Sequence, residues 1–333
     1  MRHRTFRHQE SFGGFLGHGA KLGCSLCFKS FPKGFGEKQD YSGFDHDNWV
    51  LRTNAEQRRR VNRLSRAQSK AEREQLESRF GIRYTILLEL EYYDAVRFCA
   101  IDPMHNLFLG TAKSMFKLWI DSEHLSRPVL TQVDERISKI NVMTDVGRIP
   151  SEISSNYGSL TADEWKNWTM LYSIFCLTGL LPDNNLKCWQ TFVMVCRTLV
   201  KPSITMDDIR KGDHLLMKFC REFEALYGGL AVKPNMHLHA LLKECILDYG
   251  PLYEFWAFSF ERYNGLLGNF HTNNKNPDVQ IMRKFLTCSF ADSIQPPQEF
   301  PEHFAPLLPH DKDEFYSMEG CKQLYFASTS EMG

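Results

Sequence analysis

No stretch of this 333-residue chain runs to eighteen uncharged apolar positions, so no membrane-spanning helix is expected. The first residues, "MRHRTFRHQESFGG", lack the apolar block of a secretory signal, which points to an intracellular protein, nuclear or cytoplasmic. Charge excess is missing too. Forty basic residues balance forty acidic ones, so there is no global basic field, and any nucleic-acid surface has to be local. The ten cysteines do not form a disulfide framework. They are scattered, mostly inside apolar runs such as "YSIFCLTGLL" and "FVMVCRTLV", as buried reduced thiols are. No internal repeat is visible. What the chain does have is 43% apolar and 13% aromatic residues, enough for a substantial core.

The organisation reads as four regions. Residues 1–51, rich in Gly, Phe, His and Lys, suit loops and short strands around Cys24 and Cys27. Residues 52–94 open with a stretch free of Gly and Pro over 52–79, read as one helix with nine Arg or Lys against four Glu. Its bland reading is a solvated face. Its sharper one is a helix that contacts phosphates through Arg58, Arg59, Arg60, Arg63 and Arg66. Residues 95–290 read as helices. Asp102 before Pro103 is a helix start, and His105 on the first turn could make a small polar constellation with Asp102. Thr161 with Glu164 forms a capping box, Pro182 and Pro202 stop apolar runs, and Gly228 with Gly229 ends an amphipathic helix. "NMHLHALLKECILDYG" and "PLYEFWAFSFERYNGLLGNF" each read as one further helix. Prolines and loss of periodicity make 291–333 an extended or disordered tail.

The chemistry centres on "GCSLCF". A CxxC serves redox chemistry, metal binding or neither. A redox pair opens a helix, whereas Gly23 before this one and "FKSFPKGFG" after it block helix propagation. Two thiolates on a tight turn supply half of a tetrahedral zinc shell. His237 and His239 are the closest histidine pair elsewhere. A spacing of two puts them about 200° apart on an α-helix. Both can chelate only from distorted backbone; otherwise His237 alone is a ligand. His18 and His105 are the spare donors.

The segments "GFLGHGAKLGCSLCFKSFP", "IDPMHNLFLGTAK", "LTADEWKNWTMLYSIFCL" and "PNMHLHALLKECILDYGPLYEFWAFSFERYNGLLGNFHTNN" resemble, in matching order from about 12 to about 290, transposases of the CACTA (En/Spm-like) superfamily, and more closely their animal transposase-domain relatives. The resemblance implies cut-and-paste DNA transposition on an RNase H-like core interrupted by a helical insertion. The family order is two Asp, CxxC, a histidine pair, then Glu. It implies that Cys24 and Cys27 pair with His237 to hold zinc, and that Glu261 is the third metal-binding carboxylate. Strand cleavage needs two divalent ions, Mg²⁺ or Mn²⁺, about 3.5–4 Å apart and held by hard carboxylate oxygens.

The sequence departs from that pattern at two points. The two catalytic Asp should precede the CxxC, yet residues 1–23 contain one acid, Glu10, and no Asp. The family's histidines are commonly four apart, and Leu241 stands four residues after His237. The expected fold is therefore mainly α: an N-terminally truncated remnant of an RNase H-like core with a large helical insertion, a zinc-knuckle-like segment and at most a small hairpin near the CxxC. Its exposed apolar surface favours self-association. The expected function is a catalytically incomplete, transposase-derived protein with structural zinc and residual DNA binding. The alternatives are a C-terminal fragment of an active transposase and a host-adopted protein-interaction module.

Overall fold

The computed structural model describes residues 13–293 apart from 37, 142–149, 151 and 274. The fold is mainly helical. Its strands among the described residues are one antiparallel hairpin, β1 (Lys33–Phe35) and β2 (Lys38–Gln39), close after the cysteine pair, as expected. Nearly all of the 291–333 tail lies outside the described residues; only 291–293 enter the last helix.

The stretch read as one basic helix is two, α1 (Asn54–Ser65) and α2 (Lys70–Phe80). The break has a local cause. The Ser69 hydroxyl accepts from Glu72 N at 3.1 Å, and the Glu72 carboxylate reaches back to Gln68 N at 2.7 Å, so a second helix start lies inside the run of helix formers. Thr53 caps α1 in the same manner through Glu56 N.

A π-helical segment, Met104–Ala112, runs on into α3 (Lys113–Asp121). Then come α4 (Arg127–Ser138), α5 (Ile153–Asn156), α6 (Ala162–Asn167), a second π segment Trp168–Tyr172, and α7 (Ser173–Leu177). The Thr161–Glu164 capping box is present. The two longest helices of this part, α8 (Asp183–Leu199) and α9 (Met206–Tyr227), pack extensively against each other, and Gly212 lets them approach, since a Cβ there would meet Leu199 Cδ2 at 2.3 Å. Trp119, Trp165, Trp168 and Trp189 are fully buried; Phe116 makes edge contacts with Trp165 at 5.7 Å and Trp168 at 6.0 Å, and Trp119 with Trp189 at 5.3 Å. Each such pair adds about 0.5–1.5 kcal/mol to simple burial.

Two further expected helices are interrupted. "NMHLHALLKECILDYG" divides into α10 (Pro234–His239) and α11 (Leu242–Tyr249), with Leu241 leaving helical geometry between them. "PLYEFWAFSFERYNGLLGNF" divides into α12 (Leu252–Phe255) and α13 (Phe258–Gly268), with Trp256 extended. There Ala257 N donates to the Asp102 carboxylate at 2.9 Å instead of to a helical carbonyl. α14 (Pro277–Ser293) follows. The boundaries read at 51 and 94 do not separate cores: Phe15, Cys27, Val61, Ile82, Phe108, Trp189 and Leu242 belong to one buried cluster. The chain divides instead between Phe258 and Ser259.

The π segment meets α10 through a two-way clasp. Asn106 Nδ2 donates to the Asn235 carbonyl at 3.0 Å, and Asn235 Nδ2 donates to the Asn106 carbonyl at 3.4 Å. Widened π turns free carbonyls for such use. Gly110 makes the approach feasible, because a Cβ there would fall 1.6 Å from Asn235 Nδ2. Gly110→Ala is expected to force the clasp open and destabilise the fold by about 1–3 kcal/mol, read as a lower midpoint in thermal unfolding followed by circular dichroism.

Candidate metal centre

Cys24 and Cys27 lie on a tight turn held on both sides. Cys27 bridges Leu51, with Phe28 N donating to the Val50 carbonyl and Arg52 N to the Leu26 carbonyl, each at 2.9 Å. Each sulfur receives the backbone N–H two residues on: Leu26 N to Cys24 Sγ at 3.3 Å, and Lys29 N to Cys27 Sγ at 3.4 Å. Donors aimed at sulfur favour thiolate over thiol.

His237 arrives from α10, which Pro234 starts at its first position. Its ring is buried, stacked on Trp49 at 4.6 Å and met edge-on by Phe31 at 4.8 Å, while Nδ1 has no hydrogen-bond partner. Aromatic packing therefore orients this imidazole, where metal-bound imidazoles more often use a hydrogen bond. Its Nε2 lies 3.4 Å from Cys27 Sγ, across 210 residues of sequence. The ligand atoms of Cys24, Cys27 and His237 all lie within 4.8 Å of one another, and all three residues are buried. A tetrahedral ion bound by sulfur and nitrogen at ordinary bond lengths sets S···N edges of about 3.5 Å. These three residues therefore lie close enough to hold a metal ion.

Charge around the pair is asymmetric. Burial pushes the Cys24 thiol up, whereas the hydrogen bond from Cys24 holds Cys27 below its usual range, helped by Lys29 N–H and the charge of Arg52. Lys29 Nζ sits 4.4 Å from the Trp49 ring and donates to the Ser42 carbonyl at 2.7 Å. None of the other described cysteines is in a disulfide, and all but Cys288 are buried. Burial lifts Cys176 and Cys245 to about 11 and Cys188 to about 12, the behaviour of inert core thiols.

The remaining donors read from the sequence lie elsewhere. His239 is not in the cluster. Two residues on from His237, it faces the opposite side of α10, with Nε2 3.0 Å from Thr111 Oγ1 and Nδ1 3.8 Å from Cys220 Sγ. Its helix keeps the α-helical spacing that prevents joint chelation. His18 is half-buried, its carbonyl accepting from the Tyr41 hydroxyl. The Asp102–His105 constellation exists as a cap: the Asp102 carboxylate takes Met104 N at 3.1 Å, His105 N at 3.2 Å, Ala257 N and His105 Nδ1. Its acceptor capacity is committed to the backbone and one ring, so neither residue joins the cysteines.

The arginines divide in the same manner. Arg58 donates to the carbonyls of Leu88 (2.6 Å), Leu90 (2.7 Å) and Tyr93 (2.8 Å), so it is a brace for the 88–93 loop and not a phosphate ligand. Arg60 pairs with Glu56 and lies over the Phe28 ring at 4.2 Å. Arg59, Arg63 and Arg66 are exposed. Glu261 is exposed in the first turn of α13. Sequence reasoning missed Arg52, Trp49 and Phe31. Arg52 was counted among the basic helix residues, and nothing local marks it as different.

No family model matches the chain, and no curated protein matches it either.

His239 carries a pH signature. Burial holds its imidazole down at about 3, against 6.5 in the open chain. Above 6.5 both states are neutral. As pH falls below that, the unfolded chain takes a proton that the folded one refuses. Stability therefore declines between 6.5 and 3, by up to about 1.4 kcal/mol per pH unit from this residue. In His239→Phe the fall in urea midpoint from about pH 7 to about pH 5 should shrink accordingly.

Proposed function

We propose that this protein is a transposase-derived DNA-binding protein whose fold is closed by structural zinc. The single observation behind it is the convergence of Cys24, Cys27 and His237, buried and within 4.8 Å, from opposite ends of the first compact unit. Two thiolates and an imidazole are a soft donor set that suits Zn²⁺ and not Mg²⁺ or Mn²⁺. The order CxxC, His237, Glu261 is that of the CACTA transposases which the sequence resembles, and it supports the same reading. When bound, the ion would supply cross-linking, not chemistry: it would tie the cysteine turn to α10, and through the Asn235 clasp to the π segment. The turn and ring already hold the donors in place.

Arg59, Arg63 and Arg66 supply the nucleic-acid part of the reading. A spacing of four places Arg59 and Arg63 on one face of α1, and Arg66 follows as its C-cap. Exposed guanidiniums so arranged suit a phosphate backbone. This reading assigns the chain DNA contact and a scaffold, with Glu261 at the ancestral position of the third carboxylate. A protein-interaction module is the second reading. It is favoured by Val279, Met282, Leu286 and Phe290, exposed and three or four residues apart on α14.

The purified protein is expected to carry one zinc per chain by elemental analysis. Cys24→Ser should lose it, with the thermal midpoint lower by about 10 °C. Metal-free wild type with an unchanged midpoint would remove zinc from the function. In mobility shifts across a salt series, replacing Arg59, Arg63 and Arg66 together by Ala should flatten the dependence of log K on log salt by about 2–3. An unchanged slope transfers the assignment to the interaction module.

A further inference from the structure

Arg52 is the one buried arginine among the described residues, at 4% exposure, and it lies against the cysteine turn. Its three hydrogen bonds go to carbonyls: Nε to Cys27 at 3.2 Å, Nη2 to Leu22 at 3.3 Å and Nη1 to Phe80 at 3.1 Å. Leu22 and Cys27 bracket the CxxC, so one planar fork fixes both ends of the loop that presents the sulfurs. Phe80 closes α2, and Gly81 after it turns with φ +69°; a Cβ there would stand 2.2 Å from the Leu22 carbonyl and 2.9 Å from Arg52 Nη2. The guanidinium is sandwiched 4.3 Å from Phe28 and 5.4 Å from Phe15.

We propose that Arg52 is a positioning residue for metal binding: its guanidinium spans the cysteine turn, sets the spacing of the two sulfurs, and so raises affinity for a thiolate-bound divalent ion. The proposal rests on the metal reading of Cys24, Cys27 and His237. Lysine cannot replace it fully, because an ammonium is a point donor and three diverging carbonyls need a fork.

The test measures Zn²⁺ affinity by competition with a chromogenic chelator, and the cobalt–thiolate absorption of the Co²⁺ form, in wild type, Arg52→Met, Arg52→Lys and Arg136→Met. Arg136 is the comparison because it clasps the Phe175, Cys176 and Thr178 carbonyls at the end of α7, away from the turn. Arg52→Met should lose about 10- to 100-fold in Zn²⁺ affinity, Arg52→Lys about 10-fold, each with an altered Co²⁺ spectrum. Arg136→Met should lose stability and keep wild-type affinity. Should Arg52→Met fail to fold, Arg52→Lys decides. Folded Arg52 variants within about twofold of wild type, or an equal loss in Arg136→Met, would overturn the proposal. Wild type that binds neither ion would instead overturn the metal reading beneath it.

Discussion

Two sulfurs and an imidazole are buried side by side, and that requirement constrains the rest of the first unit. Buried polar groups without partners cost free energy, so the elements that bring Cys24, Cys27 and His237 together must be held against drift. On one side the hold is a short β-bridge to Leu51 and two N–H···S bonds. On the other it is Trp49 and Phe31 against the ring, and the Asn106–Asn235 clasp behind α10. Closing a loop of 210 residues costs about 5 kcal/mol in chain entropy, which packing of this extent readily offsets.

Arginine fills two different roles within a few residues. Arg52 and Arg58 turn inward and gather carbonyls that irregular backbone leaves unpaired. Arg59, Arg63 and Arg66 stay in solvent. A residue count along this stretch treats them alike. The difference lies in tertiary contacts: a guanidinium offers five donors, and loops such as 22–27 and 88–93 have carbonyls to satisfy.

Local rules read well where local forces decide. The Thr161–Glu164 box, the stops near Pro182 and Gly228 and the hairpin after the cysteines were all legible. So was the geometric reason that His237 and His239 cannot share an ion, and the structure sends them to opposite sides of one helix. The break at Gln68–Ser69 was readable in principle, since Ser69 and Glu72 carry a start signal that the surrounding helix formers masked. The interruption at Trp256 was not, because it depends on Asp102, more than 150 residues away, claiming Ala257 N. Nor was the π register of Met104–Ala112, which is paired to Asn235 and Gly110 rather than to any periodicity of its own. Trp49 and Phe31 are ordinary aromatics until the ring of His237 lies between them.

The 210-residue interval between Cys27 and His237 also sets a schedule during synthesis. At about 5–20 residues per second, the ribosome completes the cysteine turn roughly 10–40 s before the imidazole emerges. Throughout that interval both thiols lack their burial partners and stand open to oxidants and to stray metal.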